Sequence, residues 1–182
     1  MNIQGFNKLT LLDYPGLTAC TVFTGGCDLR CPFCHNSPLV LDPRGTEGYT
    51  VDEVLSHLKK RKGILDGICV SGGEPTLYKE LPEFLRQIKS LGYLVKLDTN
   101  GSRPEILKDL VQRGLLDYVA MDIKNGPERY CDTCGGVDIL PQVKESAKLL
   151  MEGDIDYEFR TTVCHPFHDA EAIRSITQWL KG

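Results

Sequence analysis

No apolar run in the sequence approaches the roughly 20 residues that a bilayer-spanning helix needs. The first ten residues, Met1-Asn-Ile-Gln-Gly-Phe-Asn-Lys-Leu-Thr10, lack the basic-then-apolar order of a secretory leader. Low-complexity stretches, linkers and collagen-like repeats are missing as well, which sets aside disordered and fibrous architectures. So is any excess of positive charge. Lys and Arg number 21 against 25 Asp and Glu, a net charge of −4, so the chain lacks the basic field of a general nucleic-acid binder. What is present is the make-up of a globular domain, 41% hydrophobic and 25% charged over 182 residues. The expectation is a single cytoplasmic domain over residues 1–182, with 1–17 as an N-terminal extension, that binds neither membrane nor nucleic acid. Eight cysteines depart from that plain picture. In a reducing compartment they do not read as a disulfide framework, so some belong to the core and others are candidate metal ligands.

Apolar β-type runs alternate with amphipathic helical patterns from about residue 18 onward, the order that builds parallel βα units. The candidate buried strands are 18–24, 67–71, 93–97, 118–123 and 157–163. Thr50-Val-Asp-Glu53 is a capping box ahead of the stripe Val51, Val54, Leu55 and Leu58, and Ser102-Arg-Pro-Glu105 has the same form ahead of Ile106, Leu107, Leu110 and Val111. Three further stripes are Leu81, Phe84, Leu85 and Ile88; Val143, Ala147, Leu150 and Met151; and Ile173, Ile176 and Leu180. Right-handed crossovers between such short units curl the strands round one axis. The fold class is therefore α/β, a partial (β/α) barrel of parallel strands with five βα units over 18–182, in preference to a flat doubly wound sheet. In either fold the strand C-termini share one edge, where sites lie, so unusual residues should fall just after strands.

They do. The first strand runs into Gly25-Gly-Cys27, and Cys27, Cys31 and Cys34 occupy one loop at the spacing Cys-x3-Cys-x2-Cys. Soft sulfur ligands select iron-sulfur clusters or zinc. Structural zinc wants four ligands, whereas a cubane held by three thiolates leaves one iron open. His35 is the nearest fourth zinc ligand, but its adjacency to Cys34 makes joint chelation awkward. The second strand ends in Gly72-Gly-Glu-Pro75, where two glycines allow a ligand close to the backbone. Asp98-Thr-Asn100 follows the third strand and Asp122-Ile-Lys124 the fourth. Asp122 and Lys124 lie two apart, as a pair for the amine and carboxylate of a zwitterion would. Arg160, inward on the fifth strand, requires an anionic partner.

With Phe33 before the last thiol and Gly72 to Pro75 one unit later, the three-cysteine loop resembles that of the radical S-adenosylmethionine superfamily. Within it, Gly5-Phe-Asn-Lys-Leu-Thr-Leu-Leu-Asp-Tyr-Pro-Gly16, His35-Asn36 after the cysteines, Asp98-Thr-Asn-Gly101, Met121-Asp-Ile-Lys124 and Phe159-Arg-Thr-Thr-Val163 are similar to the activating enzymes of glycyl radical proteins. The type most resembled is the one that activates anaerobic ribonucleoside-triphosphate reductase, over about residues 5–180. The resemblance implies a 4Fe-4S cluster on Cys27, Cys31 and Cys34, whose open iron takes the amino and carboxylate groups of S-adenosylmethionine. It implies Phe33 near the adenine and Gly72, Gly73, Glu74 and Pro75 at the methionine amino group. Asp98, Thr99, Asn100, Asp122, Lys124 and Arg160 complete the cofactor pocket. One-electron cleavage to a 5'-deoxyadenosyl radical then generates a glycyl radical on a ribonucleotide reductase-like partner. The electron comes from a low-potential donor such as flavodoxin or ferredoxin. The family pattern has about six βα units, so this chain looks one unit short, and Cys164-His-Pro-Phe-His-Asp169 departs from the expected turn. The alternatives are a small-molecule radical enzyme of the 7-deazaguanine-pathway kind and a noncatalytic iron-sulfur or zinc module.

Four features remain. Cys131-Asp-Thr-Cys134, with Cys164, His165 and His168, could assemble an auxiliary metal site, but one Cys-x2-Cys is half a site. Loop variation, with a redox-sensitive pair at Cys131 and Cys134, is the simpler reading. Cys20 and Cys69 lie inside strands and read as small core residues. Lys59-Lys-Arg-Lys62 ends a helix, where cations offset the dipole, with docking of an acidic donor as the alternative.

Overall fold

The computed structural model describes residues 1–42 and 48–181. Among them a six-stranded sheet runs in sequence order: β1 (Ile3–Thr10), β2 (Ala19–Thr24), β3 (Gly67–Gly72), β4 (Leu94–Thr99), β5 (Tyr118–Asp122) and β6 (Asp156–Arg160). β2 to β6 are parallel, each paired with the next. Every crossover thus steps the same way, which rolls the sheet into the partial barrel that the βα alternation predicts. The helices are α1 (Ser37–Leu41), α2 (Val51–Lys60), α3 (Leu81–Ser90), α4 (Pro104–Gln112), α5 (Tyr130–Thr133), α6 (Leu140–Glu152) and α7 (Ala170–Leu180). The apolar stripes face inward: Val54, Leu58, Leu85, Ile88, Leu110, Val143 and Leu150 are fully buried. Each such side chain is worth about 1.5–3 kcal/mol of burial. Cys20 and Cys69 are fully enclosed core residues, and burial raises both thiols, Cys20 to about 12.

The N-terminal segment does more than extend the chain. β1 pairs antiparallel with β2, and its central residues are half-exposed or exposed, so it carries no continuous apolar run for a pattern reading to detect. Beyond it, Asp13 accepts a 2.5 Å hydrogen bond from the Thr21 hydroxyl, and the buried Tyr14 ring lies 5.9 Å from that of Tyr118. A Cβ at Gly67 would stand 3.1 Å from the Tyr14 ring, so the glycine at the start of β3 makes room for this plug.

Two local expectations divide. The α2 capping box forms, with Glu53 N–H donating to Thr50 Oγ1 at 3.2 Å and Thr50 N–H to Glu53 Oε2 at 2.7 Å. The Ser102 box does not form: Arg103 is the cap residue of α4, Pro104 opens the helix, and the Ser102 hydroxyl instead donates to Asp28 Oδ2 at 2.7 Å. A tertiary partner has outcompeted the local one. β6 ends at Arg160, not at residue 163, because Thr161 turns its hydroxyl to the Ile123 carbonyl. Lys62 serves the fold, donating to the Leu91 carbonyl and lying 5.0 Å from the centre of the Tyr93 ring.

Candidate active site

The cysteine loop is fastened to the end of β3. Gly73 N–H donates to the Thr24 carbonyl at 2.8 Å and Glu74 N–H to the Gly26 carbonyl at 2.9 Å, while Asn36 Nδ2 donates to the Gly72 carbonyl at 3.0 Å. The approach is so close that a Cβ at Gly73 would stand 1.9 Å from the Gly26 oxygen. Glycine there is a packing requirement. On the loop, Cys27 Sγ accepts Leu29 N–H at 3.4 Å and Asn100 Nδ2 at 3.7 Å. Burial pushes the Cys27 thiol up to about 12. Cys31 moves the other way, to about 7, because a hydrogen bond from the Cys134 thiol outweighs its burial.

Glu74 is the tie between two strand ends. It is fully buried, and its carboxylate accepts Thr76 N–H at 3.1 Å, the Thr76 and Thr99 hydroxyls at 2.5 and 2.9 Å, and Asn100 N–H at 2.7 Å. Burial lifts its pKa above the ordinary carboxylate value against the pull of these donors. Asn100 in turn donates to Asp28 Oδ1 at 2.8 Å, which joins the end of β4 back to the cysteine loop.

The inner walls carry a ladder of alternating charge. Lys96, 1% exposed, lies 2.7 Å from Asp98 and 3.7 Å from Glu158. Arg160 reaches Asp98 at 3.4 Å and Asp122 at 3.3 Å, and Lys124 lies 2.9 Å from Asp122. Burial works against the charge on Lys124, yet Asp122 beside it lifts its pKa above the ordinary lysine value. Asp122 and Lys124 are thus paired with each other, and Arg160 finds two anionic partners.

These elements enclose a cavity of about 560 Å³, within the range of small-molecule sites. Cys27, Cys31, Phe33, Cys34, Gly72, Gly73, Asp98, Thr99, Asn100, Asp122, Lys124 and Arg160 all line it. Glu74 and Pro75 do not: both are buried behind the wall, Glu74 because its carboxylate is spent on the neighbouring strand end. Asp13, His35, Asn36, Ser71, Thr161 and Thr162 are further lining residues. For Lys96, the i, i+2 spacing to Asp98 was the available signal; for Asp13 no local pattern exists, because a turn carries it to the cavity. The auxiliary site is not assembled. Cys131 is exposed while Cys134 is buried against the cysteine loop, and His168 has both nitrogens on backbone groups, Nε2 at 2.7 Å from the Lys124 carbonyl and Nδ1 at 3.2 Å from Cys164.

Residues 21–180 match the family model of the Radical SAM superfamily. The chain belongs to that superfamily. Among its relatives is a protein of Methanocaldococcus jannaschii provisionally named glycyl-radical enzyme activating enzyme, 34% identical over 98% of this chain and 75% of that protein. The pyruvate formate-lyase-activating enzyme of Clostridium pasteurianum is 35% identical over 68% of this chain and 52% of its own length. Of solved structures, native anSMEcpe with bound AdoMet shares the fold with a TM-score of 0.65 at 23% identity, over 87% of this chain and 47% of that one. The chain is thus an enzyme of the radical SAM class, which uses a 4Fe-4S cluster and S-adenosylmethionine.

The residues present fit those groups. Among the described residues no three Cys, His, Asp or Glu side chains converge at single-ion spacing. Three thiols nevertheless line one cavity. Soft thiolates suit an iron-sulfur cluster, and three of them leave one iron of a cubane open, whereas a closed structural zinc site takes four ligands. The cavity also offers carboxylates and cations for a zwitterionic sulfonium.

Proposed function

We propose that this chain is an activating enzyme that holds a 4Fe-4S cluster on Cys27, Cys31 and Cys34 and installs a glycyl radical on a partner of the anaerobic ribonucleotide reductase kind. The observation that carries the reading is a cavity walled by those three thiols in a chain 34% identical, over nearly its whole length, to a relative named for glycyl-radical activation. When bound, the two cofactors supply a one-electron cleavage to methionine and a 5'-deoxyadenosyl radical, which takes a hydrogen atom from a backbone glycine and leaves 5'-deoxyadenosine and a glycyl radical. The rest is positioning. Phe33 stands by the adenine, and Gly72 and Gly73 leave backbone open to the methionine amino group. Glu74 and Pro75 act from behind, holding that strand end in place. Asp98, Thr99, Asn100, Asp122, Lys124 and Arg160 orient the cofactor. No general acid or base is needed, but water must be excluded, and the partner's own glycine loop closes the mouth. The electron donor is a low-potential flavodoxin or ferredoxin, and the compartment is the reducing cytoplasm, where thiol ligands stay free. Anaerobic reconstitution followed by a 5'-deoxyadenosine assay tests this. Wild type should accumulate the product, more so with a glycyl radical enzyme present, and Cys31→Ala should lose it. Equal turnover in the two proteins defeats the cluster assignment, and a rise with a small substrate instead of a protein defeats the activase reading.

A further inference from the structure

Cys134 has no part in the chemistry above, yet it is fully buried on a loop that packs against the cysteine loop beside Cys31. The contact is built in by the backbone. Arg30 N–H donates to the Cys134 carbonyl at 3.3 Å. At Gly135, φ +74°, a Cβ would stand 2.5 Å from the Arg30 oxygen, so only glycine lets the two loops come this close. Buried Tyr130 and Thr133 anchor the segment from below, the Thr133 hydroxyl donating to the Tyr130 carbonyl at 2.8 Å. These contacts set Cys31 and Cys134 on directly adjoining stretches of backbone.

We propose that Cys31 and Cys134 close a reversible disulfide in the cluster-free protein, and that this bond gates cluster loading by withdrawing one of its three ligands. The gate rests on the reading of Cys31 as a ligand. Half-buried Cys31 lines the cavity and meets the oxidant first, and Cys134 behind it resolves. The Cys31 thiolate attacks a low-molecular-weight disulfide such as oxidised glutathione, forming a mixed disulfide and releasing one thiol. The Cys134 thiolate then displaces the second thiol, so two protein thiols are oxidised as one small disulfide is reduced to two thiols. A dithiol reductant reverses both steps. Once iron holds the Cys31 sulfur, the bond cannot form. In the empty protein it keeps Cys31 from the sulfinic and sulfonic states that thiols do not reverse.

The test takes the full chain without cluster, treats it with oxidised glutathione, alkylates free thiols and maps peptides without reduction. Iron and sulfide loading is then followed anaerobically before and after dithiothreitol. The expected result is a dominant Cys31–Cys134 link and no loading until reduction, with Cys134→Ser and Cys134→Ala losing that link and instead holding Cys31 as the unresolved glutathione mixed disulfide, which mass mapping distinguishes. A dominant Cys131–Cys134 link, a link confined to the loop cysteines, or full loading of the oxidised wild type overturns the proposal. Reduced wild type that takes up no cluster defeats the ligand assignment itself, whereas loading in both states defeats only the gate.

Discussion

Glu74 and Gly73 show how the site depends on residues that hold it from outside the wall. Glu74 needs both carboxylate oxygens as acceptors, Oε1 for Thr76 and Thr99 and Oε2 for Asn100. Glu74→Gln turns one of them into a donor facing a donor, which leaves a buried group unsatisfied at about 1–3 kcal/mol. Chemical denaturation should read that loss, with weaker S-adenosylmethionine binding beside it. An unchanged midpoint would mean that the tie is dispensable. Gly73→Ala is argued from contact: its Cβ meets the Gly26 oxygen, which is backbone and cannot swing aside. The loop must shift, at about 1–3 kcal/mol or more, and iron content after reconstitution should fall even in protein that remains folded. Iron content equal to wild type would show that the loop tolerates the shift. The glycines and Glu74 were legible in the sequence as members of a strand-end motif. Their division of labour was not, since only the fold shows that the glycines line the cavity while Glu74 faces away.

Among the elements, α2 and α4 make a pair of opposite outcomes from similar sequence signals. In α2 the Thr50 backbone N–H and then its hydroxyl hold the Glu53 carboxylate below its ordinary value of 4.5. A lowered folded pKa contributes stability above the ordinary value and loses it as pH falls through the lowered one. Glu53→Gln preserves the reciprocal bonds without titrating. The difference in stability between wild type and E53Q should therefore move against wild type as pH falls below about 4.5. Parallel pH profiles would show that the box contributes nothing through charge. In α4 the cap was claimed by Asp28, which also holds Asn100 and lies 3.8 Å from Arg103 Nε. Ser102→Ala should accordingly disturb the cysteine loop more than the helix. Hydrogen exchange can separate the two, with faster exchange at the N–H groups near Asp28 and little change within α4; the reverse pattern would restore the capping reading.

At the scale of the whole molecule, parallel strands laid down in sequence order bring four strand ends and one loop to a common mouth. The charge ladder from Glu158 through Lys96, Asp98, Arg160 and Asp122 to Lys124 is a property of that closure, since its members come from three strands and the residues just past them. Breaking it at Arg160 leaves two carboxylates facing the cavity without that cation. Arg160→Met should raise the Kd for S-adenosylmethionine, measured by calorimetry on reconstituted protein, while leaving iron content near wild type. Lost iron with intact cofactor affinity would place Arg160 in the cluster's support instead. No described helix is long and apolar enough to cross a membrane.

The sequence by itself determined the elements and the chemistry. Periodicity located the parallel strands and the principal helices, and thiol spacing after the first of them located the cysteine loop that lines the cavity, because both signals are local and survive without neighbours. What only the tertiary structure decided was partnership. Ser102 caps nothing, Asp122 binds Arg160, Tyr14 packs against Gly67 and the Cys134 loop meets the cysteine loop, all through contacts between segments that no pattern along the chain connects. The reason is physical. A polar or thiol group takes the best partner that folding brings within reach, and in a barrel that partner can come from another strand end as well as from the next turn of chain.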